Sequence, residues 1–472
     1  MDIQRSTGAM AAAIESQDHT TDVVPITQRR GPVTLGLLWV TMVTGFPSVL
    51  AGFDWCKAGL TMTQVLQCAL ISSGILLAYT IPACFMGSTT GQTYALLSRK
   101  LFGRVGSRLV SLNVSWISVA WYGLTAYFLA DSLNGLFHLP IDTMWLSVIV
   151  AFAMSFNNLF GFSGVANFAG YLAAPVLILW IGISFVKAMF SCPAAVFHEQ
   201  PHVQLSAALT MVSAFVIGYG AWGNEADYWR YSKPRMSFTV VPLAISIVIG
   251  QIIFPVTGWM LGRMTGITNY AAASDFMTRY AFGGVTVLSA LVLIVTYCAL
   301  NDANLYAAIN GIANLRHFQR KKLALVLTAI GAVLAAALSK YPNSLEAVGS
   351  LSSTVLPCAT VVMMAEWYIL DRLRNVRTDF SKIPDFTTLP AVQWSSVIAL
   401  SVGTTIGILT AGIIPGLGHF HVGVCSLQAW LASLGTYLIL RPLELAVGKN
   451  RPVALVDRAD SFEKETSVVA SE

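Results

Sequence analysis

The chain has 472 residues, of which 55% are hydrophobic and 11% charged, and it carries a net charge of +5. A soluble domain holds about 25% charged residues, so this composition excludes a water-soluble globular protein and points to a chain whose apolar surface is covered by lipid. The positive balance is no nucleic-acid signal, because the Lys and Arg residues lie in short gaps between apolar runs rather than in one patch.

In chain order, residues 1–28 are polar, include Arg5, Asp18 and Asp22, and lack an apolar run. They are expected to form a disordered cytoplasmic tail and not a signal peptide. A single transmembrane domain is expected over 29–447, followed by a cytoplasmic tail at 448–472. Apolar runs of about 20 residues each cross a bilayer as one helix. They predict twelve spans, at 33–55, 63–87, 106–135, 142–162, 168–190, 205–229, 237–262, 284–311, 321–340, 347–371, 393–414 and 422–446.

The basic residues give an orientation. Arg29/Arg30, Arg99/Lys100/Arg104/Arg108, Arg230/Lys233/Arg235, Arg316/Arg320/Lys321/Lys322, Arg372/Arg374/Arg377/Lys382 and Arg441/Lys449/Arg451 occupy every second gap. The alternate gaps hold only Lys57, Lys187, Arg263, Arg279 and Lys340. Cytoplasmic loops carry the excess of Lys and Arg, so both termini are expected inside a multi-pass protein of the plasma or inner membrane. Gly91–Gly103 reads as an amphipathic segment at the cytoplasmic face, and Asn269–Tyr280 as its counterpart at the outer face.

Two spans are interrupted in mid-membrane. Span 1 contains Thr44-Gly45-Phe46-Pro47-Ser48, and span 6 contains Gly218-Tyr219-Gly220-Ala221-Trp222-Gly223. Proline removes a backbone donor and glycine weakens a helix. In lipid such breaks are tolerated where they line a cavity, and breaks at matching positions of two halves point to a substrate site at the midplane. Ordinary kinks that serve packing are the alternative.

Span 8 carries Asn301, Asp302 and Asn304, which must face protein or water. An Asn amide can read a ligand with both donors and acceptors, or it can join helices. Span 3 places Trp121 away from the interfacial belt, where its ring either stacks on a planar ligand or packs between helices. Glu225 lies deep and lacks an obvious local partner, so it is a candidate proton carrier, whereas Asp227 is expected to pair with Arg230. Asp54 and Lys57 read as solvated or paired, His419 and His421 as solvated, and Glu366 as structural. The seven cysteines form no CxxC or other ligand spacing. No metal site, cofactor or catalytic residue is expected, and with neither a nucleophile–base pair nor a Walker motif the chain reads as no enzyme or ATP-driven pump.

With these residues on view, the chain resembles the nucleobase–cation symporter family of cytosine, purine, uracil, thiamine, allantoin and hydantoin permeases, and most of all the cytosine/purine permeases. The resemblance rests on Thr90-Gly91-Gln92-Thr93 through Gly103, Trp121-Tyr122-Gly123, Pro175, Ala226-Asp227-Tyr228 through Arg230, Asn301-Asp302 with Leu305-Tyr306, and Leu351-Ser352-Ser353 through Pro357. It implies an all-α fold with a five-plus-five inverted repeat over about 33–190 and 205–371, broken helices 1 and 6, and extra helices at about 393–446. It also implies alternating access around a site between spans 1, 3, 6, 8 and 10. The substrate-binding residues implied are Phe46, Ser48, Ser118, Trp121, Gly218, Tyr219, Trp222, Asn301 and Asn304. The cation-coupling residues are Gly45, Thr296 and Glu225.

Three departures stand out. Ser118 replaces a Gln found in cytosine permeases, Gly218 replaces an aromatic with Tyr219 or Trp222 as substitutes, and Ala299 and Leu300 stand where sodium-coupled members have hydroxyls. A hard cation needs oxygen ligands, so proton coupling is expected over sodium. The expected function is import of a nucleobase-like planar heterocycle by a monomer in the lipid bilayer. The alternative is a carrier of the same fold for an amino acid, amine or vitamin precursor.

Overall fold

A computed structural model describes residues 18–267, 270–316, 318–341, 344–378, 382–447 and 455–457. Among them the chain forms twelve helical spans in sequence order. Several helices are long and apolar enough to cross a bilayer on their own, among them Met62–Thr90, Met236–Thr265 and Thr286–Ala313. Thr143–Ser191 holds spans 4 and 5, which part at Gly161, where φ is +64°. Large apolar side chains such as Trp145, Phe190, Val287 and Val333 are exposed, as lipid-facing surfaces require. The only strands among the described residues are Val376–Thr378 and Leu455–Asp457, which pair antiparallel and tie part of the C-terminal tail to the loop after span 10.

Span 1 is two helices, Pro32–Val43 and Phe46–Lys57, bent by 48° at Thr44–Gly45. Pro47 stands in the first turn of the second helix, where its missing N–H costs no hydrogen bond. Span 6 breaks later than expected. The helix Leu205–Gly220 keeps Gly218 and Tyr219 helical, and the chain unwinds over 221–225 before the short helix Ala226–Trp229. Glu225 decides the position, because its carboxylate accepts the N–H groups of Trp222 and Gly223, both at 3.0 Å. It thereby replaces the bonds that the helix gives up.

Two sets of spans pack against each other. Span 1 lies along span 7 and span 2 along span 6, while spans 3, 4, 8 and 9 form a second group. The approach of spans 1 and 7 depends on glycine: a Cβ on Gly52 would lie 1.9 Å from the Pro255 carbonyl oxygen, and one on Gly258 would lie 1.9 Å from that of Val49. Spans 11 and 12 pack on each other and on span 10.

Two expectations change here. The segment after span 2 forms a helix from Tyr94 that turns at Gly103, φ +74°, into span 3. Tyr94, Leu96, Leu97, Leu101 and Phe102 are buried, so the helix is packed into the protein and does not lie on a lipid surface. Residues 18–28 are not a structureless tail. Asp18 is buried, Val24 is bonded to the Gly91 carbonyl at 2.9 Å, and the buried Arg29 donates to the carbonyls of Val24 and Ser88. Residues 1–17 lie outside the described part. The counterpart segment is a helix over Tyr270–Tyr280, and its expected first residue, Asn269, also lies outside it.

Candidate functional site

The broken spans and the polar stretch of span 8 meet at a central cavity. About 440 Å³ of space between the atoms, part of it open to solvent, is bounded by Ser118 and Trp121 from span 3, Tyr219, Trp222 and Asn224 around the span 6 break, and Asn304 from span 8. Met42, Ile117, Leu300, Ser352 and Leu356 complete the wall with Gly218 and Ala221. None of these side chains is charged. Through Trp121, Gly218 and Tyr219 the cavity continues into a wider vestibule, which also includes Leu50, Asp54, Phe215, Ser350 and His421. Asp54 and His421 are exposed, so the site opens toward their end of the molecule.

Aromatic rings make the walls. Trp121 meets Tyr219 edge-on at 6.5 Å, and Tyr219 stacks on Phe215 at 5.3 Å. Trp222 meets Tyr228 edge-on at 5.8 Å. The Tyr219 hydroxyl is buried without a hydrogen-bond partner among the described residues. It lies 3.2 Å from the place a Cβ on Gly45 would take. The span 1 break favours glycine for its φ of +157°, and a side chain there would also press on this hydroxyl.

The other expected residues fall into distinct places. Phe46 turns away from the cavity and stacks on Trp180 at 5.4 Å. Ser48 is fully buried, its hydroxyl without a partner among the described residues, and it lies outside the cavity wall. Asn301 stands behind the wall. Its Nδ2 donates to the Tyr122 carbonyl at 3.0 Å and to Met154 Sδ at 3.3 Å, and its Oδ1 accepts from Asn304 Nδ2 at 3.3 Å. Thr296 approaches Gly45, but its hydroxyl bonds the Val292 carbonyl at 2.6 Å.

Glu225 is fully buried and, contrary to expectation, well partnered. Besides two backbone N–H groups it accepts the Tyr79 hydroxyl at 3.1 Å, which links span 2 to the span 6 break. Asp227 accepts from Tyr94 N at 3.0 Å and Asn224 Nδ2 at 2.9 Å; Arg230 bonds only its backbone carbonyl. Asp302 is held by Asn157 and Asn158 from the turn between spans 4 and 5. Glu366 is held by Arg374 and by Tyr437 of span 12. Asn224 and Ser352 were missed as wall residues. Ser352 lies in the Leu351-Ser352-Ser353 motif that drew attention to span 10, and Asn224 directly follows the glycine-rich stretch of span 6.

The opposite end of the cavity is closed. The Asp18 carboxylate pairs with Arg320 at the start of span 9 and accepts from Phe162 N at 2.8 Å. Its carbonyl accepts from Arg230 at 2.8 Å and from the Tyr231 hydroxyl at 2.7 Å. Phe162 stacks on Tyr231 at 3.7 Å with their planes 5° apart. Arg230 also donates to the Tyr306 hydroxyl at 2.6 Å. One buried cluster thus joins spans 5, 6, 8 and 9 below the site. Among the described residues no group of three His, Cys, Asp or Glu side chains is placed to hold a metal ion.

Comparison with known proteins agrees with this architecture. Residues 24–431 match the family model described as permease for cytosine/purines, uracil, thiamine and allantoin. The chain is 25% identical over 437 residues to the cytosine permease of Escherichia coli K12, an alignment that covers 91% of this chain and 96% of that one. The cytosine permease of Escherichia coli O157:H7 aligns to the same extent. Among solved structures, Mhp1, a nucleobase-cation-symport-1 family transporter in a closed conformation with bromovinylhydantoin bound, superposes with a TM-score of 0.71 at 17% identity, over 94% of this chain and 98% of that one. A Na+-coupled sialic acid symporter in a substrate-bound outward-open state gives 0.63 at 12% identity, over 92% of this chain and 95% of the other. At these identities the structural likenesses establish the fold. All of these relatives are permeases or transporters and none is an enzyme.

Proposed function

The chain belongs to the family of permeases for cytosine/purines, uracil, thiamine and allantoin, and from that premise we propose that it is a secondary transporter importing a neutral, planar nucleobase-like heterocycle together with a cation. The observation that carries this reading is the make-up of the cavity wall: Trp121, Tyr219 and Trp222 offer aromatic surface, Asn224 and Asn304 offer amides, and no charged side chain is present. Rings prefer to pack on rings, and amides satisfy a heteroaromatic edge. An amino acid or amine would enter with a charge that this wall leaves unpaired, at high cost.

Substrate enters from the Asp54 and His421 end, which the distribution of Lys and Arg assigns to the outside. Release requires the Asp18–Arg230–Arg320 cluster to part. Proton coupling is the favoured mode. Ala299 and Leu300 supply no side-chain oxygen, and Glu225 is a carboxyl at the break itself. Its protonation would weaken its hold on Trp222 and Gly223 and so couple proton binding to the shape of the site.

A thermal-shift screen of the purified protein against nucleobases, hydantoins and amino acids, with and without sodium, tests the proposal. A ligand that binds only the folded state raises apparent stability. Stabilisation by a nucleobase at either sodium level is the expected result. Stabilisation by amino acids or amines alone would overturn the substrate class, and a strict sodium requirement would overturn proton coupling.

A further inference from the structure

Asn301 and Asn304 form a chain of hydrogen bonds whose direction is forced from one end. The Tyr122 carbonyl can only accept, so the amide nitrogen of Asn301 must face it, as it does at 3.0 Å. The second N–H of that nitrogen goes to Met154 Sδ at 3.3 Å. Asn301 Oδ1 is then available only as an acceptor, and it takes one N–H of Asn304 at 3.3 Å. That bond turns the other end of the Asn304 amide, Oδ1, away from Asn301. Asn304 lines the cavity, and no described residue donates to this oxygen.

We infer that Asn301 is a positioning residue that fixes the polarity of Asn304, so that the cavity presents a hydrogen-bond acceptor and selects ligands carrying a ring N–H at that edge. The inference rests on the proposed nucleobase-type substrate and deepens it. The same amide also ties span 8 to the carbonyl of Tyr122, the neighbour of Trp121. It therefore holds the stacking ring and the polar group in one register. A ligand without the N–H leaves a buried acceptor unsatisfied, which costs more than the bond itself contributes.

The test measures binding of uracil, cytosine, hypoxanthine and adenine, each with its singly ring-N-methylated forms, to the purified full chain by titration calorimetry. The wild type, Asn301→Ala and Asn301→Ser are compared after gel filtration shows each to be monodisperse. In the wild type, methylation at one ring nitrogen of a bound base is expected to weaken binding about tenfold or more. In Asn301→Ala the Asn304 amide is free to turn over, and the penalty is expected to shrink to about threefold or less, a narrowing that loss of packing alone would not produce. In Asn301→Ser, whose hydroxyl both donates and accepts and so does not fix the Asn304 amide, the penalty is expected to shrink likewise. A full penalty in both variants overturns the inference. If Asn301→Ala does not fold, Asn301→Ser decides by itself. Failure of every base to bind the wild type would instead remove the proposed function.

Discussion

Removing the Asp18 carboxylate isolates the contribution of the cluster that closes the lower end of the site. The Asp18 and Arg320 side chains are only 2% and 6% exposed, so solvent screens their attraction little. Taking one partner from such a buried pair costs about 3–5 kcal/mol, mostly because the remaining charge stays desolvated. At 1.4 kcal/mol per tenfold, that amounts to roughly 100- to 4,000-fold in the equilibrium for local opening. The same carboxylate accepts the Phe162 N–H, and the Asp18 carbonyl anchors Arg230 and Tyr231, so opening should reach spans 5 and 6 together. Hydrogen exchange read by mass spectrometry measures this directly. In Asp18→Ala, peptides covering 18–30 and 160–164 are expected to exchange at least about 100-fold faster, while those of the buried span 7 crossing around Trp259 keep their wild-type rates. Arg320→Ala should reproduce the pattern, and the double variant should be far less than additive. Unchanged exchange at both segments in both single variants would refute the view that this pair holds the end shut.

Other outcomes follow from the same geometry. Trp121→Ala removes the ring that faces the cavity and should weaken substrate binding roughly 5- to 150-fold, the range that base stacking on an aromatic side chain supplies, with an unaltered gel-filtration profile; titration calorimetry with a nucleobase decides, and wild-type affinity would remove Trp121 from the site. Glu225→Gln keeps an acceptor for the Trp222 and Gly223 N–H groups but cannot change charge, so uptake should lose its dependence on pH; a profile that still matches the wild type would exclude Glu225 from coupling. Gly258→Ala places a methyl group 1.9 Å from the Val49 carbonyl oxygen, and forcing spans 1 and 7 apart should cost about 1–3 kcal/mol or more, seen as a lower Tm, whereas Gly182→Ala, which meets nothing within 4 Å, should leave the Tm near the wild-type value.

The order of spans, the break in span 1 and the interest of Trp121 and Asn304 were all legible in the amino-acid sequence. Each follows from a local rule: twenty apolar residues are needed to cross hydrocarbon, Pro and Gly weaken helices, and polar groups in a membrane cannot face lipid. These rules act within a few residues and need no knowledge of neighbours.

What only the tertiary structure decided depended on partners far away in the chain. Gly218 and Gly220 suggested an early break in span 6, yet helix persists to Gly220 because Glu225, tied to Tyr79 from span 2, captures the N–H groups of Trp222 and Gly223. Phe46 has the chemistry of a ligand platform, but the bend at Gly45 sends it onto Trp180. Asn301 and Asn304 are equivalent by composition, and only the Tyr122 carbonyl, 179 positions from Asn301, makes one the support and the other the wall. Asp18 reads as a tail residue until Arg320, 302 positions later, gives its charge a buried partner. Local sequence sets which backbone states are affordable, whereas the direction of a side chain and the pairing of a charge are set by contacts that exist only once the spans have packed.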